Sequence, residues 1–193
     1  MSDEEPGGFS ILFPPGWSRY FVDDEGRKAL TARMSAQIRA LGRPDLDLEA
    51  RMLINQQWKQ LQTRRVGAVY LPDAPVAEDS APLPMSFALI QHRARPGVDF
   101  ESSFRDMAHG RLESFDTVIG RVLRAESERR GKDELKEVIG RQVDYGIPLP
   151  IPGDGRGMIV SASITTLDDT DPNLVAGLVE LADTIVETFR WRA

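Results

Sequence analysis

The period of the hydrophobic positions changes several times along the chain. In "GFSILFPPGWSRYF", residues 8–21, Phe9, Ile11 and Phe13 recur at every second position, the period of a half-buried strand. Pro14, Pro15 and Gly16 stop that strand in a turn leading to Trp17. Helical spacing follows: Leu30, Met34, Ile38 and Leu41 are separated by four, four and three residues. Gly42 and Pro44 end this helix and Asp45 suits the cap of another. The second helix sets Leu46, Ala50, Ile54, Trp58 and Leu61 on one side, so the pattern predicts a helical hairpin over 25–65.

Beyond the hairpin the period returns to two. "VGAVYL" (66–71) and "PMSFALIQHR" (84–93) read as strands, and the second is apolar on both faces, as a central strand would be. The connection at 72–83, rich in proline and acid, is expected to be an exposed loop. Residues 99–115 suggest a helix with Phe100, Phe104, Met107, Ala108, Leu112 and Phe115 in one stripe and Asp99 as N-cap. Residues 117–129, 134–149 and 157–167 read as three long strands of an antiparallel meander. Last, Asp171 caps and Pro172 opens a helix to about Arg190, with Leu174, Leu178, Leu181, Ile185 and Phe189 inward and Glu180, Asp183 and Glu187 outward. These elements predict one α+β domain over 1–193: an antiparallel sheet of about six strands with helices packed on its faces, carrying an inserted hairpin and a disordered tail at 1–7.

Composition narrows the function classes. The 193 residues are 41% hydrophobic, with no cysteine and no apolar run near the roughly 20 residues a membrane helix needs. The acidic start "MSDEEPGG" has no apolar segment of a secretion signal, so a cytoplasmic location is expected, without membrane insertion. Net charge is −6, and residues 168–189 carry six acidic and no basic side chains. Residues 23–65 carry nine basic against six acidic. No dense basic stripe exists, so a nucleic-acid partner is not expected.

Catalytic apparatus is hard to find. The two histidines, His92 and His109, lack ligands at metal spacing; Asp106, His109 and Glu113 would share a face only as an ordinary helix surface. "PGDGRG" (152–157) has no Lys-Ser/Thr ending and precedes a strand, and "LDDTD" (167–171) lacks the glycine and glutamate of a calcium loop. No Ser has an evident His partner, and no nucleophile elbow occurs. The chain is therefore expected to be no enzyme and to hold no cofactor or metal. Arg93, Arg95 and Arg141 are candidate anion contacts, with solvated strand ends as the plainer account. Trp58 fits a packed helix stripe, whereas Trp17 and Trp191 are candidates for a binding surface. Leu149 and Ile151, set among prolines, are the clearest candidates for contact with a partner.

"FSILFPPGW" resembles the opening signature of the PsbP-like and DcrB-like superfamily, an aromatic strand leading into a proline turn and Trp17. The strand-then-helix stretch "FALIQHRARPGVDFESSFRDM", the meander and the terminal helix resemble that group's remaining order, with 25–65 as an addition. The resemblance implies an α/β/α sandwich and a non-enzymatic accessory factor or chaperone that binds another protein. The alternative is a carrier or sensor of a small hydrophobic or anionic ligand held between sheet and helices. The basic hairpin and the acidic last helix complement each other and could pair within one chain or, in a homodimer, between two.

Overall fold

Long strands apolar on both faces must serve two cores, and the structure shows how. In the computed structural model, which describes residues 8–73 and 82–192, an antiparallel sheet of seven strands is the centre of the fold. In chain order the elements are β1 (Gly8–Ser10), β2 (Trp17–Phe21), α1 (Asp24–Ala40), α2 (Asp47–Thr63), β3 (Val66–Pro72), β4 (Met85–Arg93) and α3 (Phe100–Met107). They continue with β5 (Arg111–Thr117), β6 (Gly120–Arg130), β7 (Val138–Pro148), β8 (Arg156–Leu167), α4 (Pro172–Glu187) and β9 (Arg190–Arg192). The sheet order is β2-β3-β4-β8-β7-β6-β5, while β1 and β9 pair as a separate ribbon that joins the two ends of the described chain. The expected three-strand meander is present as β6 to β8, and β4 is internal, between β3 and β8.

Register assigns each side chain to a core. Phe87, Ala162 and Val143 stand opposite one another across β4, β8 and β7, and the next row holds Ala88, Ser161 and Asp144. The first row belongs to a large core with Leu178, Ala182, Ile185 and Val186 of α4. Phe100 and Phe104 of α3 instead pack with Leu123, Ala125 and Ile159. Trp58 of α2 packs with Tyr20, Val66 and Val69. Neighbours such as Met158 and Ile159, or Val122 and Leu123, go to different cores because successive strand residues point to opposite faces. Each fully buried Leu, Ile or Phe contributes about 1.5–3 kcal/mol, so α4 is anchored by its inner stripe.

The hairpin is attached at its root. The Asp23 carboxylate accepts from the Gly26 N–H at 2.8 Å, and a Cβ on Gly26 would overlap the Phe21 carbonyl. Trp58 Nε1–H donates to the Asp23 carbonyl at 2.9 Å, and Arg33 donates to the Tyr20 hydroxyl at 2.9 Å while pairing with Asp73. The far end is less engaged: Leu41, Leu48 and Met52 are exposed.

Several expectations need correction. Trp17–Phe21 is itself a strand of the large sheet, between the proline turn and the Asp23 cap, whereas the opening strand pairs with β9 outside that sheet. The opening strand covers only Gly8–Ser10; Ile11 and Phe13 still pack against the large core from outside it. The helix expected over 99–115 ends at Met107, and Arg111–Thr117 is the edge strand β5. Gly110, at φ +83°, makes the break, and a Cβ there would overlap the Glu126 carbonyl of β6. Asp106, His109 and Glu113 therefore lie on α3, a link and β5, and share no helix face. Asp183 was expected to face outward but bonds to the sheet. The proposed tail at 1–7 and most of the 72–83 loop lie outside the described residues.

Candidate protein-binding surface

β4 and β8 pair as far as Arg93 opposite Arg156, so the β4–α3 and β7–β8 connections meet at one end of the sheet. Gly97 (φ +82°) and Gly153 (φ +73°) make the turns that fold them together. Ala94 N–H donates to the Gly155 carbonyl at 2.8 Å, Leu149 N–H to the Arg156 carbonyl at 3.0 Å, and Ile151 N–H to the Leu149 carbonyl at 2.7 Å. Asp154 holds Arg156 through Nη2 at 2.6 Å and Nε at 3.0 Å. The hydrogen bonds from Arg156 hold the Asp154 carboxyl below its ordinary range despite some desolvation, and Arg93 adds at longer range.

Leu149 and Ile151 are half-buried on this end, and Arg93 and Arg95 are exposed beside them. Trp191 Nε1–H donates to the Pro148 carbonyl at 3.1 Å, and its ring stands edge-on to Phe189, on which Phe9 stacks. Hollows of about 600, 390 and 540 Å³ adjoin here; Leu149 lines the first two and Arg93 the last two. The structure thus gathers Arg93, Arg95, Leu149, Ile151 and Trp191. It leaves out Trp17, whose ring packs on Phe13 and Phe87 at the edge of the large core. Arg141 is also elsewhere: it stands opposite Ile164, eight positions along β8 from Arg156, or roughly 26 Å.

Arg141 belongs to an ionic chain under α4. Its Nη1 donates to Glu126 at 2.5 Å and its Nη2 to Glu128 at 2.6 Å. Glu126 also accepts from Arg124 at 2.9 Å, and Arg124 Nε donates to Asp183 of α4 at 2.9 Å. The Tyr145 hydroxyl donates to the same Asp183 oxygen at 2.5 Å. Burial and the acceptor Asp183 raise the Tyr145 pKa far above its ordinary value, so the phenol keeps its proton. Burial alone would raise the Glu126 carboxyl, but hydrogen bonds from Arg141 and Arg124 outweigh it and hold it low. This chain fills the inner end of a groove of about 490 Å³ between α4 and β6–β8. Ile139, Val175 and Val179 supply apolar surface, and Glu126, Glu128, Asp168, Glu180 and Asp183 supply carboxylates. An anion is poorly matched to that lining.

The sequence pattern missed these contacts for different reasons. Arg124, Glu126 and Glu128 recur at period two, a legible sign of a charged strand face. Asp183 gave no such sign, lying on the polar side of α4. The structure also corrects the histidine account: His92 Nε2 lies 2.9 Å from Ser103 Oγ. The half-buried imidazole stands edge-on to Phe100, and burial lowers its pKa. Among the described residues no carboxylate bonds its other ring nitrogen, so the pair ties β4 to α3 without the third member of a triad. Among the described residues no cluster of three or more His, Asp or Glu is placed to hold a metal, and no helix is long and apolar enough to cross a membrane.

Comparison with known proteins places the architecture. The chain resembles a variant of the protein Mog1 with a TM-score of 0.52 and 11% identity, over 99% of this chain and 96% of the other. It resembles the Saccharomyces cerevisiae Ran-binding protein Mog1p with a TM-score of 0.51 and 11% identity, over 96% and 90%. The likeness is one of fold across nearly the whole chain, in an α+β class with a large antiparallel sheet. No family model and no curated protein matches the sequence, so the PsbP-like and DcrB-like resemblance stays an expectation from the residues.

Proposed function

We propose that this chain is a non-enzymatic protein-binding accessory factor or chaperone, working in the cytoplasm, that engages its partner at the loop end of the sheet. The observation that carries this is convergence: half-buried Leu149 and Ile151, from the β7–β8 connection, and exposed Arg93 and Arg95, from the end of β4 and the link after it, border adjoining hollows. Apolar side chains ringed by charge suit a partner's surface better than a chemical step. The fold shared with a Ran-binding protein supports the reading by analogy.

A carrier of a small molecule is the second reading, favoured by the 490 Å³ groove with Arg141 on its wall. Arg141 is already bound by Glu126 and Glu128, which weakens the anionic form of that reading. To test the first, Leu149→Asp with Ile151→Asp is compared with Arg93→Glu with Arg95→Glu in capture from the host. Both pairs are expected to weaken partner retention about tenfold or more while circular dichroism stays native. Retention by both folded variants would end the assignment of this surface.

A further inference from the structure

We propose that the groove between α4 and β7 is a second docking site, and that it takes an extended, basic, apolar segment of a protein partner. The site is distinct from the loop end and does not depend on the contacts assigned there. Its apolar lining, Ile139 with Val175 and Val179, is accompanied by carboxylates from two elements: Glu128 on β6, and Glu180 and Asp183 on α4. Counting Glu126 and Asp168, five carboxylates line the groove, and the guanidiniums bonded to them are those of Arg124, Arg130 and Arg141, leaving an excess of two negative charges. Glu180 is exposed and makes no ion pair among the described residues. Asp169 and Asp171 stand just beyond, in a stretch 168–189 without any Lys or Arg.

Charge therefore selects the occupant. An anionic or neutral segment would face uncompensated carboxylates, whereas Lys or Arg flanking an apolar side chain meets them. Dimensions select its form. The α4 residues along the groove run from Pro172 to Asp183, roughly 16 Å at the helical rise, the length of about five extended residues.

The probe is a nine-residue peptide alternating Lys and Leu, titrated into the full chain and followed by amide NMR shifts. Controls are the same length with Glu for Lys, with Ser for Leu, and the small cation dodecylamine. Shifts are expected at Ile139, Thr166, Val175 and Val179 with the Lys-Leu peptide alone, weakening as salt is raised. Exposed-site changes Ala176→Lys with Glu180→Lys are expected to weaken binding about tenfold without altering the remaining spectrum. No shift at these residues, equal response to the Glu peptide, or response to dodecylamine in place of the peptide would each overturn the proposal.

Discussion

The loop end and the α4 groove use the same materials, arginines beside carboxylates and apolar side chains, but assemble them over different distances in sequence. At the loop end Asp154 and Arg156 are two residues apart and hold one turn. In the groove Arg124 and Asp183 are 59 residues apart, and Glu126 and Arg141 are 15 apart. The first pair shapes a connection, and the second joins a helix to a sheet. A surface built from locally braced loops can change its recognition residues without disturbing the core. A groove whose inner charges are tertiary ties has only its outer charges, such as Glu180, available to a ligand.

The sharpest way to break this comparison is Arg124→Met. It leaves Asp183 and Glu126 with fewer partners in a half-buried setting, and a loss of about 2–4 kcal/mol is expected in urea unfolding. A loss too small to measure would make the ionic chain an ornament. Next comes Gly157→Ala under the loop end, where a Cβ would meet the Phe100 ring and the Ile147 carbonyl. About 1–3 kcal/mol should be lost, again read from urea unfolding, as α3 is pushed off the sheet.

Acid sharpens the comparison further. The Glu126 carboxyl is depressed in the folded chain relative to its ordinary 4.5. Its contribution is therefore full above that value and is lost as pH falls through 4.5 and below. The urea midpoint of Glu126→Gln is expected to fall less steeply than that of the unaltered chain below about pH 4.5. A parallel fall in both would show that Glu126 carries no part of the acid sensitivity. The smallest effect belongs to Asp154→Asn: its thermal midpoint should stay closer to that of the unaltered chain than Arg124→Met does, because the contact it removes braces only a turn.

What the sequence revealed follows the same division between local and distant. The final helix and the meander were legible because a capping Asp171, Pro172 and long periodic runs all sit next to the residues they organise. The stripe Phe100, Phe104, Met107, Leu112 and Phe115 misled because its spacing stays helical through Gly110, where a close approach of β6 dictates the break. β2 was missed since five residues between a turn and a cap are too few to display a period. For the surface, Leu149 and Ile151 stood out as apolar residues in a connection and Arg93 as a charged residue at a strand end. That Arg93 and Arg95 share an end while Arg141 of β7 lies far along the sheet, opposite Ile164 of β8, depends on strand register, which no local pattern encodes.

The most direct test of a protein-binding role is native mass spectrometry of the chain gently isolated from its host, alongside the Leu149→Asp and Ile151→Asp double variant. The account expects a co-isolated polypeptide at defined stoichiometry that the folded variant no longer carries. A bound small molecule of fixed mass, or a polypeptide that the variant retains in full, would contradict it.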